Sequence, residues 1–321
     1  MHPILVAALL ACQETPPKPA FQGDFFGEMG RAFSVIRKVD PELRTVTVTL
    51  DRDGKTVTVP IKDDTELHVR DSWGELAEFF PGQHVMLFMY VDDDKKWTYP
   101  RAIQDDIHMR ARHGHFARVT KIDREARTYT TERDEKDGKG IVTKTVHDSY
   151  VAAAEAKVWK GAAPAGLEAL QEGDSVITQL VEQGGKLVAW EILDKAGDDA
   201  VRAAQDERHR KDQDEKGLAS YVTDVEVLSG SLQATVAWSG SERAKKDLKV
   251  GQTVTIVPDG GKAFAGAVCS LQGVDSRERV QFAINARVAA RLSPGQSLRI
   301  FLPGTGPAVP EGRAGVPAPK K

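Results

Sequence analysis

Three histidines, His108, His113 and His115, stand close together in the chain, with Asp105, Asp106 and Met109 beside them. Imidazoles two residues apart on a strand face the same side, as His113 and His115 would, and with His108 they could converge on one zinc or copper ion. Arg110 and Arg112 are threaded between them and would repel a cation. The segment therefore reads as a solvated linker between two folded units, with no cofactor expected. Metal binding by the three histidines, in an extracytoplasmic sensor or carrier, is the alternative chemistry. A second candidate surface is aromatic: Trp73, Trp97, Tyr99, Trp159, Trp190 and Trp238 could present a face to a sugar or a protein. Core packing is the competing use of these rings, above all for Trp190 and Trp238, which stand in apolar strand patterns.

Other short patterns fail the test of context. Gly173-Asp174-Ser175-Val176 resembles the Gly-Asp-Ser block of some hydrolases, but there the serine has partners in an α/β fold. Here it takes the place of Gly82-Gln83-His84-Val85 in a sister segment and reads as a turn leading into a strand. Gly260-Gly261-Lys262 lacks the upstream glycine of a phosphate loop, and Gly304 and Gly306 do not open a helix. The Asp-Gly turns lack the acidic ladder of a calcium loop, since Lys144 stands where Gly138 would need an acid. The chain is accordingly read as a non-enzyme. Cys269, in the strand-like run Ala267-Val268-Cys269-Ser270-Leu271, is expected to be a buried, inert thiol.

The elements that would position these residues are repeated. Phe33, Lys38, Asp40, Glu42, Arg44, Thr45 and Thr47 recur in register as Phe116, Lys121, Asp123, Glu125, Arg127, Thr128 and Thr130. Each copy then reaches an acidic glycine turn, at Asp53-Gly54-Lys55 or Asp137-Gly138-Lys139, and closes with a glycine-led strand at Gly82 or Gly173. Val46, Val48 and Leu50 alternate with Thr45, Thr47 and Thr49, a period of two that marks half-buried strands. Several such strands in so short a unit remove their exposed edges by closing into a small barrel. This predicts one module over 31–110 and a second over 111–194. A third, divergent β module is expected over 217–303. It carries Leu248-Lys249-Val250-Gly251-Gln252 and a related signal at Leu292-Ser293-Pro294-Gly295-Gln296.

Residues 195–216 lack proline, are rich in charge and stop at Gly217, which predicts a solvated connecting helix. At 1.5 Å per residue, such a helix would hold the third module roughly 30 Å from its neighbours. Residues 304–321 read as a flexible tail. Residues 12–30 read as a tether whose Phe21, Phe25 and Phe26 dock on the first module. Upstream, the apolar run Ile4–Ala11 is too short to span a bilayer, which takes about 20 residues. It fits the core of a signal peptide over residues 1–11. Leu9-Leu10-Ala11-Cys12 resembles the lipobox of bacterial lipoproteins, which implies lipidation at Cys12 and membrane attachment through that lipid.

With 28% charged residues, 40% hydrophobic residues and a net charge of −3, the chain is a soluble globular type of two or three domains. Its Lys and Arg are interspersed with Asp and Glu, so no nucleic-acid partner is expected. It has two cysteines, and with Cys12 acylated, Cys269 has no partner for a disulfide. The recurring opener, Thr/Val strand, acidic glycine turn and closing Leu-x-x-Gly-Asp/Gln-x-Val resemble the OB-like small β-barrel domains of unknown function found in bacterial exported proteins. That resemblance implies an all-β chain of tandem OB-like modules with one connecting helix. The implied role is a binding or scaffolding component of the cell envelope, in the periplasm or at the cell surface, with an envelope protein or polysaccharide as partner.

Overall fold

In a computed structural model, residues 30–92, 96–275 and 277–309 are described. Cys12, the tether and most of the tail lie outside them. The described chain is mostly β, as expected, with three sheets and four α-helices.

The first sheet uses β1 (Arg31–Asp40), β2 (Thr45–Leu50), β3 (Thr56–Pro60), β4 (Glu66–Val69), β5 (Ser72–Trp73), β6 (His84–Val91) and β7 (Trp97–Asp105) in the order β3-β2-β1-β6-β7-β4-β5. The Thr/Val alternation acts as its period demands. Val46, Val48 and Leu50 are buried, while Thr47 and Thr49 turn outward and join hydroxyls with Thr58 and Thr56. All pairings are antiparallel except β4 with β7.

After α1 (Asp106–Arg112), the second sheet comprises β8 (Ala117–Asp123), β9 (Thr128–Lys136), β10 (Val142–Trp159), β11 (Pro164–Ala165), β12 (Ser175–Gln183) and β13 (Lys186–Asp194). Its order is β11-β10-β13-β12-β8-β9, and β9 also pairs with β10, so five strands form a continuous ring. The one parallel pair, β10 with β13, is the counterpart of β4 with β7.

The 22-residue helix α2 (Lys195–Lys216) leads into the third sheet. This is a closed barrel of β14 (Leu218–Glu226), β15 (Ser231–Val236), β16 (Thr253–Pro258), β17 (Phe264–Val274), β18 (Arg277–Ala283) and β19 (Ser297–Phe301) in the order β14-β15-β18-β17-β16-β19. Helix α3 (Trp238–Asp247) follows β15, and α4 (Ala286–Ala289) follows β18. The barrel is thus two strand-strand-helix-strand halves. Exchanging β14 with β17, β15 with β18 and β16 with β19 leaves every neighbour relation unchanged.

One turn recurs four times and explains the closing sequence signal. A glycine N–H donates to the carbonyl of a mid-strand residue, whose own N–H donates back to the carbonyl following the glycine. The pairs are Gly82–Gln83 with Ile36, Gly173–Asp174 with Val119, Gly251–Gln252 with Val268, and Gly295–Gln296 with Val222. In each, the Gln or Asp side chain accepts the N–H three residues back, at Phe80, Gln171, Lys249 or Ser293. The four glycines have φ between 83° and 93°. Directly after each gripped residue the strand carries a register shift, the mark of a β-bulge. The Gly-Asp-Ser block is therefore a turn whose aspartate holds its own backbone. In the third barrel each half grips the first strand of the other. A Cβ on Gly173 would meet nothing within 4 Å, so Gly173→Ala isolates the backbone cost. We expect a loss of about 1–2 kcal/mol in chemical denaturation; an unchanged midpoint would refute the requirement for glycine.

The bulge also corrects the reading of Cys269. It is the extra residue between Val268 and Ser270, so Val268 points into the core and the thiol is exposed. Trp238, assigned to a strand pattern, instead opens α3.

Helix α2 is not a solvated spacer. Asp194 caps it by accepting the Gly197 N–H, and Gly217 ends it at φ 76°. Apart from Gly197 at its start, its buried residues, Asp198, Val201, Gln205, His209 and Gln213, form one stripe at near-helical spacing. Three of these are Gln or His, so hydrophobicity gave no sign of the buried face. Gln205 donates to the Trp73 carbonyl and the Glu78 carboxylate, and Gln213 donates to the Ser239 carbonyl. At its start α2 approaches β10 so closely that a Cβ on Gly197 would lie 2.3 Å from the Trp159 carbonyl oxygen. Ser297 of the third barrel also bonds Asp63 of the first sheet. The third module is docked, and the expected 30 Å separation does not occur.

Candidate functional site

Residues 106–112, expected as linker, fold into α1, whose first turn is capped and buried. The Asp105 carboxylate accepts the His108 N–H at 2.7 Å and the Arg70 N–H at 2.8 Å. Ile107, fully buried, packs with Ile177, Leu193 and Val201 from the second sheet and α2.

The three histidines separate. His108 is 5% exposed and stacks on His68 with ring centroids 4.1 Å apart. Its Nδ1 is 3.5 Å from Asp71, and burial, followed by the nearby His68, Arg112 and His113, holds its pKa far below the usual imidazole range. His113 and His115 lie past the end of α1 with their rings 5.4 Å apart. They line a groove of about 760 Å³ beside Arg118, Glu132 and Arg133. Among the described residues, no group of three or more His, Cys, Asp or Glu is arranged to hold a metal ion.

The junction of the first two sheets is polar and tightly paired. His84 on β6 sits between two carboxylates, with Nδ1 2.8 Å from Asp106 and Nε2 3.0 Å from Asp51. Burial alone would lower its pKa, but Asp106 and then Asp51 push it up to about 9, so the ring is an imidazolium at neutral pH. With both nitrogens engaged, it has no lone pair to act as a base. Gln179 of β12 accepts the Asp106 N–H and donates to the His84 carbonyl. Arg37, the bulge residue of β1, makes a two-pronged contact with Glu182.

A second set of contacts reaches α2. The hairpin between β4 and β5 turns through Arg70 and Asp71, both at positive φ (54° and 58°). Such conformations are costly for residues other than glycine and persist where neighbours over-determine them. Here Arg70 pairs with Glu191 at 2.9 Å, Asp71 lies 3.5 Å from Arg202, and Ser72 bonds Asp206. These residues were not singled out from sequence. The available signals were His84 standing where the sister copy has Ser175, and Thr178-Gln179 interrupting the apolar run of β12.

A second opening is a cleft of about 620 Å³ between the first sheet, α2, α3 and the closed barrel. Arg44, Glu75, Lys216, Trp238, Ser297 and Arg299 line it. Trp238 stacks with the Arg277 guanidinium, whose carbon is 5.0 Å from the ring centroid. The other tryptophans are committed elsewhere. Trp97, Trp159 and Trp190 pack against core clusters, and Trp73 lies against His68. Tyr99 donates to Asp64. Of the six aromatic residues singled out from sequence, Trp238 is the one that lines this cleft. Compared with known protein families and with curated proteins, the chain matches none.

Proposed function

We propose that the chain is a non-catalytic, extracytoplasmic scaffold of the bacterial cell envelope, anchored by a lipid on Cys12. Its modules are OB-like barrels, and its partner is an envelope protein or polysaccharide. The observation that carries the reading is the fourfold turn: the glycine-led closing signal that recurs along the sequence is engaged in gripping a strand at each of its four occurrences. An OB-like assignment for the first two modules is supported by their strand order and single parallel pair, within a small antiparallel barrel. Binding as the task is favoured by the inter-module cleft, since ligand sites prefer clefts between domains. Its wall offers donors and acceptors around an indole, a chemistry suited to hydroxyl-rich or peptide ligands. No described helix is long and apolar enough to cross a membrane, and attachment falls to the lipid on Cys12.

The anchor is tested by Cys12→Ala in the native host. The variant should appear in the soluble fraction without acyl mass, whereas the parent carries diacylglyceryl mass and sediments with membranes. Equal membrane fractionation of both, with no acyl mass on the parent, would overturn the anchored reading.

A further inference from the structure

We infer that two copies of this chain pair through the free edge of β10, strand to strand and antiparallel, about a two-fold axis at Val146. The β9–β10 hairpin is where the second sheet departs from the first. In the first sheet the matching hairpin, β2 with β3, runs from Thr45 opposite Pro60 to Thr49 opposite Thr56. In the second it runs from Thr128 opposite Val151 as far as Lys136 opposite Val142. β8 leaves the other side of β9 at Glu132, opposite Arg118. The rest of the hairpin is a two-stranded ribbon that barrel closure does not use. β13 joins the far side of β10 only from Ala152. From Val142 to Val151 that side has no strand partner among the described residues.

Such an edge offers unpaired N–H and C=O groups to another strand. Lys144, Thr145 and His147 are exposed, and Val146 and Asp148 are half-buried. The register with β9 shifts between Val142 and Lys144 and is regular from there on, so residues 144–148 form an even edge. Charge selects a second copy as the occupant. A two-fold axis through the sheet pairs each residue with one on the same face. Centred on Val146, it sets Lys144 of each copy opposite Asp148 of the other, Thr145 opposite His147, and Val146 opposite itself. Centred on Lys144 or Asp148, it brings like charges together, and on Thr145 or His147 it leaves Asp148 against a valine. Opposite charges facing across strands stabilise the pair and like charges destabilise it. Lys144 is open to this contact, because its cross-strand neighbour Glu135 is held by Arg133 at 3.1 Å. The edge is short beside the roughly 1,000 Å² of a stable interface, which makes the dimer reversible and concentration-dependent. The pairing does not rest on the lipid anchor.

Sedimentation of the full chain over a dilution series tests this. The parent should rise toward twice the monomer mass with concentration. Lys144→Asp, which sets carboxylates opposite one another, should weaken association by about tenfold or more. A parent that stays monomeric up to about 1 mM, or a Lys144→Asp variant that associates like the parent, overturns the inference. Mixing Lys144→Asp with Asp148→Lys makes both cross-pairs complementary in a mixed dimer and should restore association; two folded variants that do not associate overturn the register. Asp148 is half-buried and feels the Arg110 charge, so a second measurement uses the unaltered chain. Alternate amides in residues 144–148 should exchange several-fold more slowly at the associating concentration than on dilution. Exchange independent of concentration overturns the pairing.

Discussion

Asp106→Ala should destabilise the chain by about 3–5 kcal/mol, the usual cost of stripping one partner from a buried charge pair. Asp106 is 1% exposed. It accepts from His84 at 2.8 Å and from the Leu180 N–H at 3.0 Å. Alanine leaves a buried imidazolium with one carboxylate in place of two, and a buried β12 N–H with no acceptor. Asp106→Asn retains the shape and removes the charge, so it should recover only part of the loss. Urea denaturation measures both variants. A loss below about 1 kcal/mol for Asp106→Ala would show that the junction is not held by this pair. Because the lost bonds join β6 to β12, hydrogen exchange should quicken at both strands in the variant.

The share of stability that Asp105 and His84 contribute should also fall as pH rises, Asp105's between about 4 and 7 and His84's between about 6.5 and 9, while His108, with its pKa lowered, works in the opposite sense below about 6.5. Burial first, and then the Asp106 and Glu191 charges, push the Asp105 carboxyl up to about 7 against the opposing His108 and Arg70 N–H donors. A group whose pKa is raised by folding contributes its full stability below its unfolded value and loses it as pH climbs through the folded value. For Asp105 that window runs from about 4 to 7. A rise of about three units is worth about 4 kcal/mol. His84, raised to about 9, contributes fully below about 6.5 and loses about 3 kcal/mol by the time pH has passed 9. Asp105→Asn should flatten the lower window and His84→Gln the upper one. The check is the difference in urea-derived stability between parent and variant at each pH. Parallel curves for parent and variant would remove these groups from the explanation.

The sequence showed the local fold clearly because its repeated residues serve local geometry. Asp40 and Asp123 recur because each carboxylate accepts an N–H three residues on, at Leu43 and Ala126. Arg44 and Arg127 recur at the positive-φ end of the same turn. The bulge was invisible in the alternation, which is why Cys269 was assigned inward. Helix α2 conceals its buried face for a different reason: Gln205, His209 and Gln213 make up most of its stripe, and polar side chains reveal burial only when their partners are known. Those partners, Trp73, Glu78 and Ser239, are distant in sequence. The same limit hid the junction. His84, Gln179 and Glu191 each look like ordinary surface polar residues until three elements bring them together. The histidine cluster failed as a unit because α1 sends His108 inward and leaves His113 and His115 beyond its end.

The two-fold relation inside the third barrel bears on how that barrel could have arisen and how it can be cut. Its interface is self-complementary in the manner of a symmetric dimer: each half lends its last strand and its glycine turn to the other. A fused duplication of a half-length, dimeric ancestor would produce this arrangement directly. The first and last strands, β14 and β19, are neighbours, with Leu218 opposite Ile300. The chain ends of the barrel therefore meet, and opening it at the β17–β18 hairpin while joining those ends would give a circular permutant with the same ring of strands.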